Sequence, residues 1–289
     1  MDYINVAIAI NDKFMMPVQV MLHALCRQSS RPVQIFLLYN ALSDENRAII
    51  RNIMDGFGGV LREFMINELY FKNASLDNNS LYSIEIYYRI LLPYITDVDK
   101  ILWIDADIII NGDIAELYDK DISEYYLAAI TDAVEKAGER EEIKTAMDMA
   151  ERTYFNSGVL LLNNKKIREE ISQESFFKAI QTYNDILRCP DQDILNCVLG
   201  KKCLILSDRY NDQCHMEAGC RAENSLILHY IWKKPWNADY PGYLDKPFWK
   251  EAVACGFEKE YRKYKRQRKM NFYKNELIPA AISKIKRTK

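Results

Sequence analysis

The stretch Ile101-Leu102-Trp103-Ile104-Asp105-Ala106-Asp107-Ile108-Ile109-Ile110 constrains this chain more than any other. A short, apolar, β-branched run reads as a buried strand, yet this one carries two carboxylates one residue apart. Burying an ionised carboxylate without a partner is costly, and two together are worse. A divalent cation is one resolution, because carboxylate oxygens suit hard ions such as Mn²⁺ and Mg²⁺. Residues i and i+2 share a face of a straight strand, and both can also reach one ion where a strand ends or bends. The alternative is two aspartates closing a strand before the turn at Asn111-Gly112-Asp113, and spacing alone leaves both open.

The flanking sequence supplies the sheet that such a strand needs. Ile4 to Ile10 predicts a first buried strand, ended by the turn chemistry of Asn11-Asp12-Lys13. Pro17 suits the first turn of a helix whose apolar face is Val18, Met21, Leu22 and Leu25, and His23 in it reads as structural. Val33 to Tyr39 predicts a second strand, and Ser43-Asp44-Glu45-Asn46 opens a second helix. Gly56-Phe57-Gly58-Gly59 follows that helix and precedes a third strand, Val60 to Ile66. A phosphate-cradling glycine loop runs from strand into helix, so these glycines read as a helix cap and turn. Alternating strands and helices signal an α/β sheet of largely parallel strands.

Further on, Leu81 to Leu92 predicts a helix stopped by Pro93. Arg89 interrupts its apolar surface, either snorkelling to water or aimed at an anion. Leu127 to Ile130 predicts a strand ending at Thr131-Asp132, and the charged stretch Glu135 to Glu151 a mobile surface helix or lid. Tyr154 to Asn163 reads as a buried strand with a polar start, and Lys165 to Leu187 as one long amphipathic helix. Cys189-Pro190 breaks the chain and starts a new helix with Asp191 and Asp193 in its first turn, where the dipole favours carboxylates. Leu204 to Leu206 and Leu226 to Leu228 are short strands, the second running into His229-Tyr230.

The 289 residues are 49% hydrophobic and 12% aromatic, enough for one large core and against disorder. None of the seven cysteines forms a Cys-x-x-Cys pair, which excludes a zinc ribbon or thioredoxin-like motif. No signal peptide or membrane span is visible, so the expected location is cytoplasmic with reduced thiols. Charge is uneven: between Arg262 and Lys289 stand eleven basic residues and one acid, Glu276, a net +10 that leaves −12 for residues 1–261 within the chain's −2. Ile278, Ala281, Ile282 and Ile285 recur at helical spacing. A basic helix with an apolar stripe suits an anionic membrane surface, here the inner face of the plasma membrane. The acidic body argues against nucleic acid as a partner. The division expected is a domain over 1–245 and a basic, partly amphipathic helical tail over 246–289.

In open α/β sheets ligand chemistry gathers where strands end. Four such ends carry polar groups: Asn11-Asp12, Asp105/Asp107, Asp132 and His229. Two aspartates and a distant histidine suit Mn²⁺, since imidazole favours a softer ion than Mg²⁺. An ordered set of stretches then resembles family 8 of the glycosyltransferases: Ala9-Ile10-Asn11-Asp12, Tyr88-Arg89-Ile90-Leu91-Leu92-Pro93, Leu102-Trp103-Ile104-Asp105-Ala106-Asp107, Phe155-Asn156-Ser157-Gly158-Val159-Leu160, Asp191-Gln192-Asp193, and His229-Tyr230 with Lys234-Pro235-Trp236. They span nearly the whole chain short of the tail.

The resemblance implies a GT-A fold, a mixed and mostly parallel sheet flanked by helices, and retaining transfer of glucose or galactose from a UDP-sugar to a hydroxyl of a glycan or lipid-linked glycan. It implies that Asp105, Asp107 and His229 hold Mn²⁺, or Mg²⁺ in its place. Ala9, Asn11, Asp12 and Phe14 would lie at the uridine, with Phe14 stacked on or near uracil. Arg89, Asp132, Asn156 and Gln192 would surround the donor sugar, with Ala106 and Ser157 beside them, and Lys234 would contact the diphosphate. Gln192, Asp191 and Asp132 would form the catalytic set. Compared with related sequences, Asn11 stands where aspartate is common, Phe14 where tyrosine is common, and Ile231-Trp232-Lys233 replaces a longer, glycine-containing loop. Two rivals remain from other classes: a non-catalytic UDP-sugar-binding protein, and a sugar nucleotidyltransferase, which usually has a glycine-rich loop after its first strand.

Overall fold

The computed structural model describes residues 2–72, 74, 83–136, 138–214, 224–241 and 244–272. In chain order its elements are β1 (Ile4–Ala9), α1 (Met15–Gln28), β2 (Val33–Tyr39), α2 (Asp44–Gly56), β3 (Val60–Met65), a 3₁₀ helix (Ile84–Leu91), α3 (Leu92–Ile95), β4 (Lys100–Ile104), β5 (Ile108–Ile110), α4 (Ala115–Tyr118), β6 (Leu127–Thr131), α5 (Ala133–Lys136), α6 (Glu141–Ala146), β7 (Phe155–Asn163), α7 (Asn164–Glu170), α8 (Gln173–Tyr183), α9 (Pro190–Leu199), β8 (Cys203–Ile205), β9 (Asp212–Gln213), β10 (Ile227–His229), α10 (Asp245–Ala254) and α11 (Glu258–Phe272).

Seven strands form one mixed sheet in the order β3-β2-β1-β4-β7-β6-β8. The β3-β2-β1-β4 half is parallel, as the helix-alternating sequence predicts, whereas β7 runs antiparallel to both β4 and β6. Helices cover both faces, so the central strands are apolar on both sides: Val6, Ala7 and Ile8 of β1 and Ile101 to Ile104 of β4 are buried. A second sheet, β5-β10-β9, stands at the end of β4.

Four sequence expectations are corrected. The Ile101–Ile110 run is not one strand. It bends at Asp105-Ala106-Asp107, and its halves join different sheets. Pro93 does not stop a helix: it lies in the first turn of α3, where its missing N–H leaves no bond unmade. The stretch 165–187 is two helices, because Ile171 and Ser172 take extended backbone between α7 and α8. The stretch 135–151 holds no continuous helix. Gly138 with φ +77° and Asp148 with φ +56° divide it, and Arg140, Ile143 and Lys144 are buried, so it is part of the body and not a solvated lid.

Gly58, at φ +66°, forms the turn after α2 that the glycine cluster predicts. His23 packs edge-on against Phe57, with ring centroids 5.0 Å apart. Past residue 245, α10 and α11 dock on the body through a cluster that joins Phe248, Trp249, Ala252 and Tyr264 to Val20, Ile109, Leu228 and Tyr230. No described helix is long and apolar enough to cross a membrane. Ile278, Ala281, Ile282 and Ile285 lie outside the described residues.

Candidate active site

The bend between β4 and β5 is fixed by backbone bonds on both sides. Asp105 N–H donates to Gly158 O at 2.9 Å, and Tyr230 N–H donates to Asp107 O at 3.0 Å. β10 pairs antiparallel with β5 and sets His229 opposite Ile108. This pairing brings an imidazole from far along the chain to the paired carboxylates. Ligand atoms of Asp105, Asp107 and His229 all lie within 4.8 Å of one another.

Each of the three is oriented from behind. Asp105 Oδ1 accepts from Trp103 Nε1 at 2.8 Å and from Arg89 at 2.9 Å. His229 Nδ1 pairs with Asn211 Oδ1 at 2.9 Å. The carbonyl oxygen can only accept, so Nδ1 carries the proton and Nε2 presents its lone pair towards Asp107, the arrangement typical of a metal-ligating histidine. Asp107 Oδ1 is buried, has no hydrogen-bond partner, and lies 3.3 Å from that Nε2 without the alignment of a hydrogen bond. Donors about 2.1 Å from one octahedral ion stand about 3 Å apart. An orphaned carboxylate oxygen beside an imidazole lone pair therefore fits a divalent cation, and the three residues can hold one.

Gly158 makes this approach sterically feasible. A Cβ there would stand 2.2 Å from His229 Cε1, 2.8 Å from its Nδ1 and 3.0 Å from Asp105 Oδ2. Lys234 supplies a cation at the same place: its Nζ donates to Asp107 Oδ2 at 2.5 Å and to Tyr230 O at 2.6 Å. Burial alone would raise the Asp107 carboxyl, but the Lys234 ammonium beside it opposes that and holds the group below the usual range. Burial raises Asp105, against the nearby Arg89 guanidinium.

Beside the carboxylates lies a buried polar network. Arg89, the charge that interrupts its apolar helix, does not snorkel. Its guanidinium stacks 4.5 Å over Trp103, bonds Ser157 O, and lies 3.3 Å from Asp191 Oδ2. Asp191 also accepts from Ser157 Oγ at 2.9 Å. Gln192 Oε1 accepts from Ser157 N–H at 2.9 Å and Asn156 at 3.1 Å, and its Nε2 donates to Asp132 Oδ2 at 3.2 Å. Asp132 Oδ1 accepts from the N–H groups of Val134 and Glu135 and from Arg140 Nε at 3.2 Å. Asn156 Oδ1 accepts from Asn211 at 2.9 Å, which links this network to His229.

At the end of β1, Asn11 caps a short 3₁₀ turn and its amide reaches Glu85, while half-buried Phe14 follows. Asp12 points away. It accepts from Ser43 N–H and Asn46 at the start of α2, which lowers its carboxyl. Ala9 and Ala106 are partly buried and pack against the two core clusters. The structure thus gathers Arg89, Asp105, Asp107, Asp132, Asn156, Ser157, Asp191, Gln192, His229 and Lys234, and turns Asp12 elsewhere. Sequence reasoning missed Asn211, Arg140, Trp103 and Gly158. Trp103 had a signal, being two residues before Asp105 at the end of β4; Asn211, in an irregular loop, had none. A second group of possible ligands, His23, Glu251 and Cys255, has its carboxylate already paired with Arg27 at 2.5 Å.

Comparison with known proteins agrees with this geometry. The profile of glycosyl transferase family 8 matches residues 5–240. Glycosyltransferase GlyE of Streptococcus pneumoniae is 29% identical over 252 residues, covering 82% of this chain and 57% of its own length. A lipopolysaccharide 1,2-glucosyltransferase of Escherichia coli is 22% identical over 307 residues, covering 98% and 89%. The chain spans about 60% of the length of the Streptococcus relatives GlyE and GlyF. Galactosyltransferase LgtC, crystallised with donor and acceptor sugar analogues, superposes with a TM-score of 0.76 at 25% identity, covering 87% of this chain and 96% of that one. The sheet order is therefore that of a GT-A fold, and with the family profile running from β1 to beyond His229, the chain belongs to glycosyl transferase family 8.

Proposed function

We propose that the chain is a retaining hexosyltransferase, moving glucose or galactose from a UDP-sugar to a hydroxyl of a glycan or lipid-linked glycan with Mn²⁺ as cofactor. The observation that carries this reading is the convergence of Asp105, Asp107 and His229, with the orphaned Asp107 oxygen facing the imidazole lone pair. Mn²⁺ bound there would supply Lewis-acid stabilisation of the charge that develops on the departing diphosphate.

The chain's own groups do the rest. Lys234 neutralises diphosphate charge. Arg89 fixes Asp105 and Asp191 at the rim of the sugar site. Gln192, Asn156 and Asp132 present a pre-ordered polar wall to the hexose. Both Asp132 oxygens are engaged, and Gln192 is an amide, a poor nucleophile. This favours substitution on one face of the sugar, with the leaving phosphate taking the acceptor's proton, over a covalent glycosyl-enzyme. A trapped adduct on Asp132, Asp191 or Asp193 would refute that mechanism.

Thermal-shift measurements with UDP-glucose and UDP-galactose should give stabilisation only when Mn²⁺ is present, and none in Asp107→Ala. Turnover of donor to UDP separates transferase from a non-catalytic binding protein, which would be stabilised without consuming donor. The basic segment from Arg262 onward supports a further reading, that the protein rests peripherally on an anionic membrane where a lipid-linked acceptor is found.

A further inference from the structure

Asn11, at the end of β1, uses both ends of its side chain. Its carbonyl oxygen accepts from Lys13 N–H at 3.1 Å, and its amide donates to Glu85 Oε1 at 3.3 Å. The other carboxylate oxygen, Glu85 Oε2, is buried and has no hydrogen-bond partner, and no cation pairs with Glu85 among the described residues. A carboxylate oxygen shut away from water without a donor is costly to keep. The same carboxylate raises the neighbouring Tyr88 hydroxyl, behind the larger effect of burial. Three residues past Asn11, at the end of the 3₁₀ turn that Asn11 caps, stands the half-buried ring of Phe14, a flat surface of the kind on which a base stacks.

We infer that Glu85 reads the hydrogen-bonding edge of the nucleobase, accepting the imide N3–H of uracil on Oε2. This rests on the nucleotide-sugar reading of the same site and adds a selectivity to it. Uracil offers an N–H at ring position 3. Cytosine offers a lone pair there, which a carboxylate repels, so Glu85 admits uracil nucleotides and rejects cytosine ones. The Asn11 carbonyl oxygen is already engaged by the Lys13 N–H, which turns it into the 3₁₀ turn. The Asn11 amide holds Glu85 in place.

Calorimetric titration of the full chain with Mn²⁺ and UDP, CDP or UDP methylated at N3 tests this. UDP should bind roughly ten- to a hundredfold more tightly than either analogue, the span expected for losing a hydrogen bond to a charged group. Glu85→Gln should weaken UDP about tenfold and bring CDP to within a few-fold of it, because an amide can donate to the cytosine lone pair. Equal binding of UDP and its N3-methyl analogue by the wild-type protein, which needs no variant to fold, would overturn the assignment and leave the transferase reading intact. An unchanged UDP-to-CDP ratio in Glu85→Gln would overturn it equally. Absence of any UDP binding by the wild-type protein would overturn both.

Discussion

A single methyl group at position 158 would be enough to dismantle the proposed ion seat. The Gly158→Ala Cβ would collide with the His229 ring and crowd Asp105, and neither can yield without leaving the other. Mn²⁺ affinity, read by electron paramagnetic resonance of the free ion, is expected to fall at least about tenfold while the circular dichroism spectrum is retained. Asp191 carries a different test. Burial pushes its carboxyl up to about 6, with Arg89 opposing and Asp105 adding to the rise. A group that holds its proton more tightly folded than unfolded stabilises the fold fully below about pH 4, and that contribution is lost as pH rises through about 6. The metal-free protein is therefore expected to lose up to about 3 kcal/mol from this group between pH 4 and 7. Asp191→Asn should flatten that slope in denaturant melts; an unchanged slope would remove Asp191 as its source.

At the scale of elements, the loop after β10 and the α10–α11 pair each carry an outcome. Lys234 occupies Asp107 in the same place that a metal would approach. On the proposed function, its ammonium would compete with the ion until a diphosphate drew it away. Lys234→Met is expected to tighten Mn²⁺ alone several-fold and to weaken UDP in the presence of Mn²⁺ about tenfold, opposite signs that simple loss of a ligand would not give. Trp249 on α10 is buried, stacks 5.2 Å from Tyr261, and donates its Nε1 to Pro235 O at 2.9 Å. Trp249→Ala should cost about 3–5 kcal/mol in chemical denaturation. Because Pro235 adjoins Lys234, UDP affinity should weaken with it.

Over the whole molecule, an acidic body is followed by a basic segment. Tyr264 and Arg268 of α11 both bond Asp245 at the start of α10, so the first part of the basic segment is built into the fold. Removing residues 273–289 is expected to lower sedimentation with anionic vesicles while Mn²⁺-dependent UDP binding stays intact. Removing 262–289 should also lower the melting temperature, because Asp245 loses both partners. Unchanged vesicle binding in the shorter deletion would exclude the membrane reading of the segment.

Much of this was legible in the residues themselves. The period of apolar residues fixed the parallel half of the sheet, because helix and strand periods are local properties of the backbone. Two carboxylates inside an apolar run marked a candidate site, because nothing apolar can solvate them, while spacing alone left a plain strand end open beside it. What tertiary structure alone decided is how that site is assembled. Whether the Asp105-Ala106-Asp107 run bends, that β10 returns against β5, that Asn211 orients the histidine and that Gly158 leaves room for it all depend on pairings between distant segments. The same holds where local pattern misled: Pro93 and the break between α7 and α8 were settled by how the segments pack. Sequence patterns record what each stretch prefers, and only the packed sheet determines which stretches meet.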